Sequence, residues 1–273
     1  MAITIDQSFV TQFGAEVKQA YQLESKLFPI VRKRLGVTGN TSRFQKIGAV
    51  SAYQKTRNAD LTVLEPAHTY TDVTVGDWYS TVLVDDLDLL KSNVDIKREY
   101  VTTVARSIAT KMDGLIITAL TAGTATTTTN AGAFTLARAL EIKKYFDNNN
   151  VPESDRHVIV GAKTMADMLA ITAFTSADYN TVKALVQGDI NSYLGLQFTQ
   201  VPDSYLTLNT TPTPDTRVNL AFHKEALGVA VGMEPKTFIE WSPDKHAWWI
   251  KCVVSMGAGI VDTTGVVEFE VDI

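Results

Sequence analysis

Cysteine is almost missing from this 273-residue chain: Cys252 is the only one, so no internal disulfide can form. It lies in the apolar run Ile250 to Val254, where a buried, inert thiol is expected, and a reducing compartment during folding fits it. Histidine is scarce as well. The four, at 68, 157, 223 and 246, form no close pair with one another or with Cys252, which argues against a metal site. Surplus positive charge is lacking too. A formal net charge of -5 excludes a sequence-independent DNA binder, which needs excess Lys and Arg to displace phosphate counterions. Any contact with nucleic acid is therefore expected to be local. No window approaches the roughly 18 uninterrupted apolar residues that span a bilayer. Met1 to Phe13 also lacks the basic leader and apolar core of a secretory signal, so the expectation is a soluble chain that starts at its own methionine, with no membrane partner. Phosphate loops and nucleophile elbows are absent. Gly257-Ala258-Gly259 lacks the third glycine of a dinucleotide loop and reads as a bulge or tight bend between strands. No convergent catalytic set is visible, and neither an enzymatic activity nor a cofactor is expected.

What the chain does have is apolar content, 45%, enough for a substantial core in one large domain or two joined intimately. Residues 1 to about 40 read as an arm, with Phe9, Phe13, Val17, Ala20 and Tyr21 at helical spacing and Leu27, Phe28, Ile30 and Val31 following. Gly36, Gly39 and Asn40 then break into extended chain. From Thr41 to Asp85 the period changes to two, clearest in Thr71 to Val75 and Ser80 to Val84, with Arg43 to Val50 as a partner strand. The polar stretch from Ala52 to Tyr70, which includes Lys55, Arg57, Asp60, Glu65 and His68, is expected to project as the tip of an extended hairpin. Two strands alone are marginal in water, so something else must hold them.

The strongest helical signal follows. Val94, Val101, Val104, Ile108, Met112, Leu115, Ile116 and Ala119 share one face, which predicts a helix over 94–120 of roughly 40 Å, with Ser92 or Asn93 as cap. The Thr, Ala and Gly stretch 121–132 reads as a loop. A second helix is predicted from Leu136 to about Asn148 with Thr135 as N-cap. Then come a strand at 157–160, helices at 163–170 and 182–186, a strand at 197–201, and a strand-rich end at 218–222, 227–231, 237–241, 247–256 and 266–271. The sum is an α+β chain in which a long helix and a long hairpin stand apart from a mixed core.

Two clusters invite chemistry. Asp85, Asp86 and Asp88 offer three carboxylates to a hard cation, but a solvated turn before a helix start explains them better. Trp241, Trp248 and Trp249 offer a ligand platform, and aromatics packed between strand and core explain them better.

Several stretches resemble a known family. Asp86 to Leu120 (DLDLLKSNVDIKREYVTTVARSIATKMDGLIITAL) is similar to the spine region of tailed-phage major capsid proteins, the Hong Kong 97-type fold that encapsulins share. Arg156 to Val160 with Met165 to Leu169 resembles that family's axial strand and helix. Tyr193 to Gln197 leading to Pro202, and Phe222 to Ala226, resemble its later turns. The resemblance implies an N-terminal arm over 1–40, an extended hairpin loop over 41–85, a peripheral domain with the spine helix over 86–135, an axial domain over 136–237 and strands returning to the peripheral domain over 238–273. It implies a subunit that assembles with copies of itself into hexamers and pentamers of an icosahedral shell around double-stranded DNA, in the virion, after assembly in the host bacterial cytoplasm. Further expected partners are a portal protein, a cement or decoration protein, and packaged DNA through weak local contacts. The chain has no long acidic N-terminal extension of the kind that serves as built-in scaffold, which points to a separate scaffolding protein. An encapsulin, and a tail or decoration protein, are the alternatives.

Charge is asymmetric: residues 1–60 carry nine Lys and Arg against four acids, and residues 61–110 carry eight acids against four bases. Lys55 and Arg57 at the hairpin tip are therefore expected to dock on an acidic surface of a neighbour, with Arg43, Lys46, Asp85, Asp86 and Asp88 as further inter-subunit candidates.

Overall fold

The structure, a computed structural model, describes residues 25–87, 96–123, 125–128, 132–171, 192–211 and 214–273. The arm helix expected before residue 25, Asp88, the cap at Ser92 or Asn93, and the helix at 182–186 lie outside the described residues.

The first strands are β1 (Arg32–Leu35), β2 (Thr41–Ile47), β3 (His68–Thr74) and β4 (Gly76–Asp85), followed by helix α1 (Ile96–Thr121) and β5 (Ala125–Thr128). Helix α2 (Leu136–Asn148), β6 (Arg156–Val160), helix α3 (Ala162–Ala170), β7 (Ser192–Tyr193), β8 (Leu196–Gln200) and β9 (Leu208–Asn209) come next. The chain then runs through β10 (Thr216–His223), β11 (Leu227–Ser242), β12 (Ala247–Ile260) and β13 (Val266–Asp272).

These strands make three sheets. One has the order β1-β11-β12-β4, a second runs β5-β13-β10-β6-β8-β7 with β9 added on β10, and among the described residues β2 pairs only with β3. In β4 the burial alternates along the strand, as the period of two requires: Trp78, Val82 and Val84 face the core and Tyr79 and Leu83 face out. α1 lies against the inner face of the first sheet and buries the row Val104, Ile108, Met112, Ile116 and Leu120, spaced four apart on one helix face. Its 26 residues make it about 39 Å long. Cys252 is buried in the same core.

The second sheet is covered on both sides. Along β10, Val218, Leu220 and Phe222 join the α1 core, whereas Ala221 joins a separate core under α2 and α3 with Val158, Val160, Phe198 and Phe269. Two covered faces explain why β6 is buried at every position, with Val158, Ile159 and Val160 consecutive in the core and Arg156 and His157 buried before them. Arg156 closes this unit. Its guanidinium is buried, donates to the carbonyls of Pro152 (2.8 Å) and Val151 (2.6 Å), and pairs with Asp147 at 2.8 Å, so it ties the end of α2 to β6.

Four local readings are corrected. The expected strands 227–231 and 237–241 are one strand, β11, because β12 pairs along its whole length and absorbs the mismatch in bulges between Val231 and Met233 and between Met233 and Lys236. Part of the loop read at 121–132 is β5, whose threonines suit a strand and which pairs parallel with β13. Arg32–Leu35, read as arm, pairs parallel with β11 at Gly228 to Val231. Gly257-Ala258-Gly259 is no bend between strands but lies inside β12. Thr135 does take the N-cap position of α2 in an extended conformation, yet its side chain makes no capping hydrogen bond.

Candidate assembly surfaces

The hairpin β2–β3 is clamped at its root and bare at its tip. At the root, Phe44, Val73 and Val75 are buried against Ala230 of β11. Glycines make the seat. A Cβ on Gly257 would lie 2.0 Å from the Thr74 carbonyl oxygen, one on Gly259 would lie 2.8 Å from Val73 Cγ2, and one on Gly228 would meet the Phe44 ring at 3.0 Å. The hairpin therefore rests directly on the strand backbones of the first sheet's outer face, which supplies the support that two strands need.

Charge reinforces the root. Arg43 and Asp72 stand opposite in the register and bond through two hydrogen bonds of 2.7 and 2.8 Å, while the guanidinium carbon lies 3.9 Å from the Tyr70 ring centre. The hydrogen bond from Arg43 holds the Asp72 carboxyl below the usual range. Lys46 reaches Asp262, in the turn before β13, at 2.6 Å. Arg43 and Lys46 thus have partners within their own chain. Lys55 and Arg57 do not: they lie in the exposed stretch 49–65 with no partner among the described residues.

That stretch is not only polar. Leu61 is 75% and Val63 83% exposed, and Val50, Tyr53 and Leu64 are exposed as well. The charges of the tip dominate its sequence, and the run Leu61-Thr62-Val63-Leu64 is the local signal for this apolar set. A second bare apolar surface lies on the outer face of the first sheet beyond the glycine seat. There Tyr79, 70% exposed, and Leu83 of β4 share a face with Trp249 of β12 and Phe238 of β11. Exposed apolar groups gathered in this way mark interaction surfaces.

The acidic cluster divides between local roles. Asp85 accepts from the Leu87 N–H at 2.8 Å, and Asp86 accepts from the Trp248 indole at 3.2 Å. Trp248 packs on the α1 core beneath the Lys97 ammonium, 3.7 Å from a ring centre. Trp241 sits edge-on to it at 5.1 Å, and both Trp241 and Trp249 stay partly exposed, so only one of the three indoles packs against the core in the expected way. Among the described residues, no group of three or more His, Cys, Asp and Glu is placed to hold a metal ion, and no helix is long and apolar enough to cross a membrane.

Comparison with known proteins places this architecture. The family model described as phage capsid protein matches residues 5–272, and the chain belongs to that family. A major capsid protein of Enterobacteria phage T3 is 23% identical over 225 residues, covering 71% of this chain and 65% of the relative. A minor capsid protein of the same phage is also 23% identical, over 71% of this chain and 52% of the relative. The chain therefore spans less than two thirds of either relative's length. Among solved structures, one from Mycobacterium phage Che8 matches with a TM-score of 0.74 at 21% identity, over 96% of this chain and 97% of that one. The capsid of cyanophage P-SCSP1u matches at 0.75 and 17% identity, over 98% and 94%. The acid-stable capsid of Helicobacter pylori bacteriophage KHP30 matches at 0.76 and 10% identity, over 100% and 98%. The fold is the α+β, Hong Kong 97-type fold of phage capsids.

Proposed function

We propose that this chain is the major capsid protein of a tailed bacteriophage, a structural subunit that assembles into hexamers and pentamers of an icosahedral shell around double-stranded DNA. One observation carries the reading. A hairpin locked at its root presents an apolar and basic tip that has no partner among the described residues, and the same chain exposes an apolar sheet face. Distinct exposed patches on one subunit favour heterologous contacts, which close into rings and shells. In this reading 41–85 is the extended loop, α1 is the spine of the peripheral domain, and the unit built on α2, α3 and the second sheet lies in the axial domain. A separate scaffolding protein, a portal protein, a cement or decoration protein and the packaged DNA are the expected partners, with assembly in the host cytoplasm. Lys55 and Arg57 set register on an acidic patch of the adjacent subunit, and that contribution steers assembly more than it adds bulk affinity.

Electron microscopy and sedimentation of the purified chain, with and without scaffold, test the reading. Rings, tubes or shells are expected, and a protein that stays monomeric under both conditions refutes it. The charge contribution is tested separately by Lys55→Glu with Arg57→Glu. A raised assembly threshold in low salt is expected, and normal folding with a wild-type threshold removes the docking role of these two residues while leaving the capsid reading intact.

A further inference from the structure

One carboxylate interrupts the buried side of α1. Asp113 is 3% exposed, next to Met112 and one turn before the buried Ile117. Leucine would continue the apolar surface there. A carboxylate has to be desolvated, and among the described residues no cationic side chain pairs with it. It instead collects three donors from the segment entering the fold: Ser25 Oγ at 2.6 Å, the Lys26 N–H at 3.1 Å and the Leu27 N–H at 3.2 Å. The Phe28 N–H turns back to Ser25 Oγ at 3.4 Å, and a short 3-10 turn, Phe28–Ile30, follows. The N–H groups of Lys26 and Leu27, which lead into this turn, are thus held by a side chain 86 residues away from Leu27, while the turn's own first N–H takes the local Ser25 hydroxyl.

The same segment reaches in two further directions. Leu27 and Val31 are buried in the α1 core, which also takes in Val201 and Leu206 from the chain between β8 and β9. The Lys26 ammonium donates to the carbonyl of Gln200, at the end of β8, at 3.3 Å. Residues 25–31 therefore bridge α1 and the second sheet.

We propose that Asp113 is a latch that fastens residues 25–31 across the joint between the spine helix and the second sheet, so that this clasp docks and releases as one unit. Withdrawal of the segment strips every described donor from a buried charge and unseats Leu27 together, which leaves no half-docked arrangement of low energy. Such an element has two positions, and the described root of the N-terminal segment is one of them.

Limited trypsinolysis of the folded, unassembled full chain tests the latch at the bond after Lys26. Lys55 and Arg57 in the exposed tip serve as internal controls for protease access. In Asp113→Ala, cleavage after Lys26 is expected to rise by about tenfold or more, because hydrogen bonds to a charged group are lost together, with cleavage at the tip unchanged. Ser25→Ala, which removes the hydroxyl bond and leaves the helix untouched, is expected to fall between the two. The proposal is overturned if folded Asp113→Ala is cut after Lys26 at the wild-type rate, or if cleavage rises equally at sites throughout the folded core, which marks general loosening. Should Asp113→Ala fail to fold, wild-type cleavage of Ser25→Ala overturns it.

Discussion

Gly257→Ala adds one methyl group to the seat on which the hairpin rests. The new Cβ would stand 2.0 Å from the Thr74 carbonyl oxygen, and ordinary contact begins near 3.4 Å. The obstacle is backbone on both sides, so no side chain can turn away, and the hairpin root has to lift. Phe44, Val73 and Val75 are buried at that root, each worth about 1.5–3 kcal/mol when fully buried. A gap of about 1 Å forfeits up to half of their contact energy, which gives a cost of about 2–4 kcal/mol. At Gly259 the obstacle is Val73 Cγ2 at 2.8 Å, a side-chain atom and a milder clash than backbone at 2.0 Å, and Gly259→Ala is expected to cost less, about 1–2 kcal/mol. Amide exchange read separately over β2–β3 and over β6–β10 is the assay, with denaturant midpoints alongside. Gly257→Ala should lose protection in the hairpin and keep it in the second sheet. Unchanged hairpin protection, or a cost below that of Gly259→Ala, would show that the glycines do not form the seat.

Other predictions follow from single contacts. Arg156→Leu leaves the carbonyls of Val151 and Pro152 without their donor and should cost about 2–4 kcal/mol in a denaturant titration. Gly114→Ala, in mid-helix with nothing within 4 Å of the added Cβ, should raise stability by up to about 1 kcal/mol in the same assay. Replacing Leu61, Val63 and Leu64 together by Ser should leave the subunit's melting temperature unchanged and reduce shell yield; a shifted melt with normal yield would reverse the assignment of these side chains to contacts between subunits. On acidification the carboxylates divide. Hydrogen bonds from Arg43 and Arg156 hold Asp72 and Asp147 below the usual range, so their contributions exist above the ordinary carboxylate pKa and are lost as pH falls through the folded values. Burial pushes the Asp113 carboxyl up, against the pull of its hydrogen bonds from Ser25 and the N–H groups of Lys26 and Leu27, so proton uptake there favours the folded form. Exchange at stepped pH should show the hairpin root and the end of α2 loosening before residues 25–31.

Elements with one dominant period were legible. The α1 face, the alternation of β4 and the full extent of α2 from Leu136 to Asn148 follow from local pattern alone, and their order along the chain carried the family resemblance. What escaped was set by partners far away in sequence. β1 is a strand because β11 lies beside it, and the threonines of β5 are extended because β13 is there. Gly257 and Gly259 read as a bulge or tight bend because a glycine reports close approach or a bend in the chain alike, and only the hairpin shows which applies. Asp113 lies within the family-like spine, yet its neighbours on the helix give no hint that residues 25–27 end on it. In the candidate surfaces, the charges of Lys55 and Arg57 stand out along the sequence, while the exposed apolar side chains of Leu61, Val63 and Leu64 do not.

The seat of the hairpin also orders events during synthesis. β4 has no sheet partner until β12 exists, and the Asp77–Ser255 contact joins residues 178 apart. β1 waits in the same way for β11, and the glycine cradle is translated after the hairpin it receives. Contacts this distant must close long loops before they return any stability, which makes folding slow. For most of its time on the ribosome the nascent chain carries a hairpin with nowhere to rest and a spine helix with an uncovered apolar row, the kind of surface that chaperones hold and that aggregates when they do not. The strands from Leu227 onward are therefore the closing stitch of the subunit: the projecting hairpin gains its fixed direction only when they arrive.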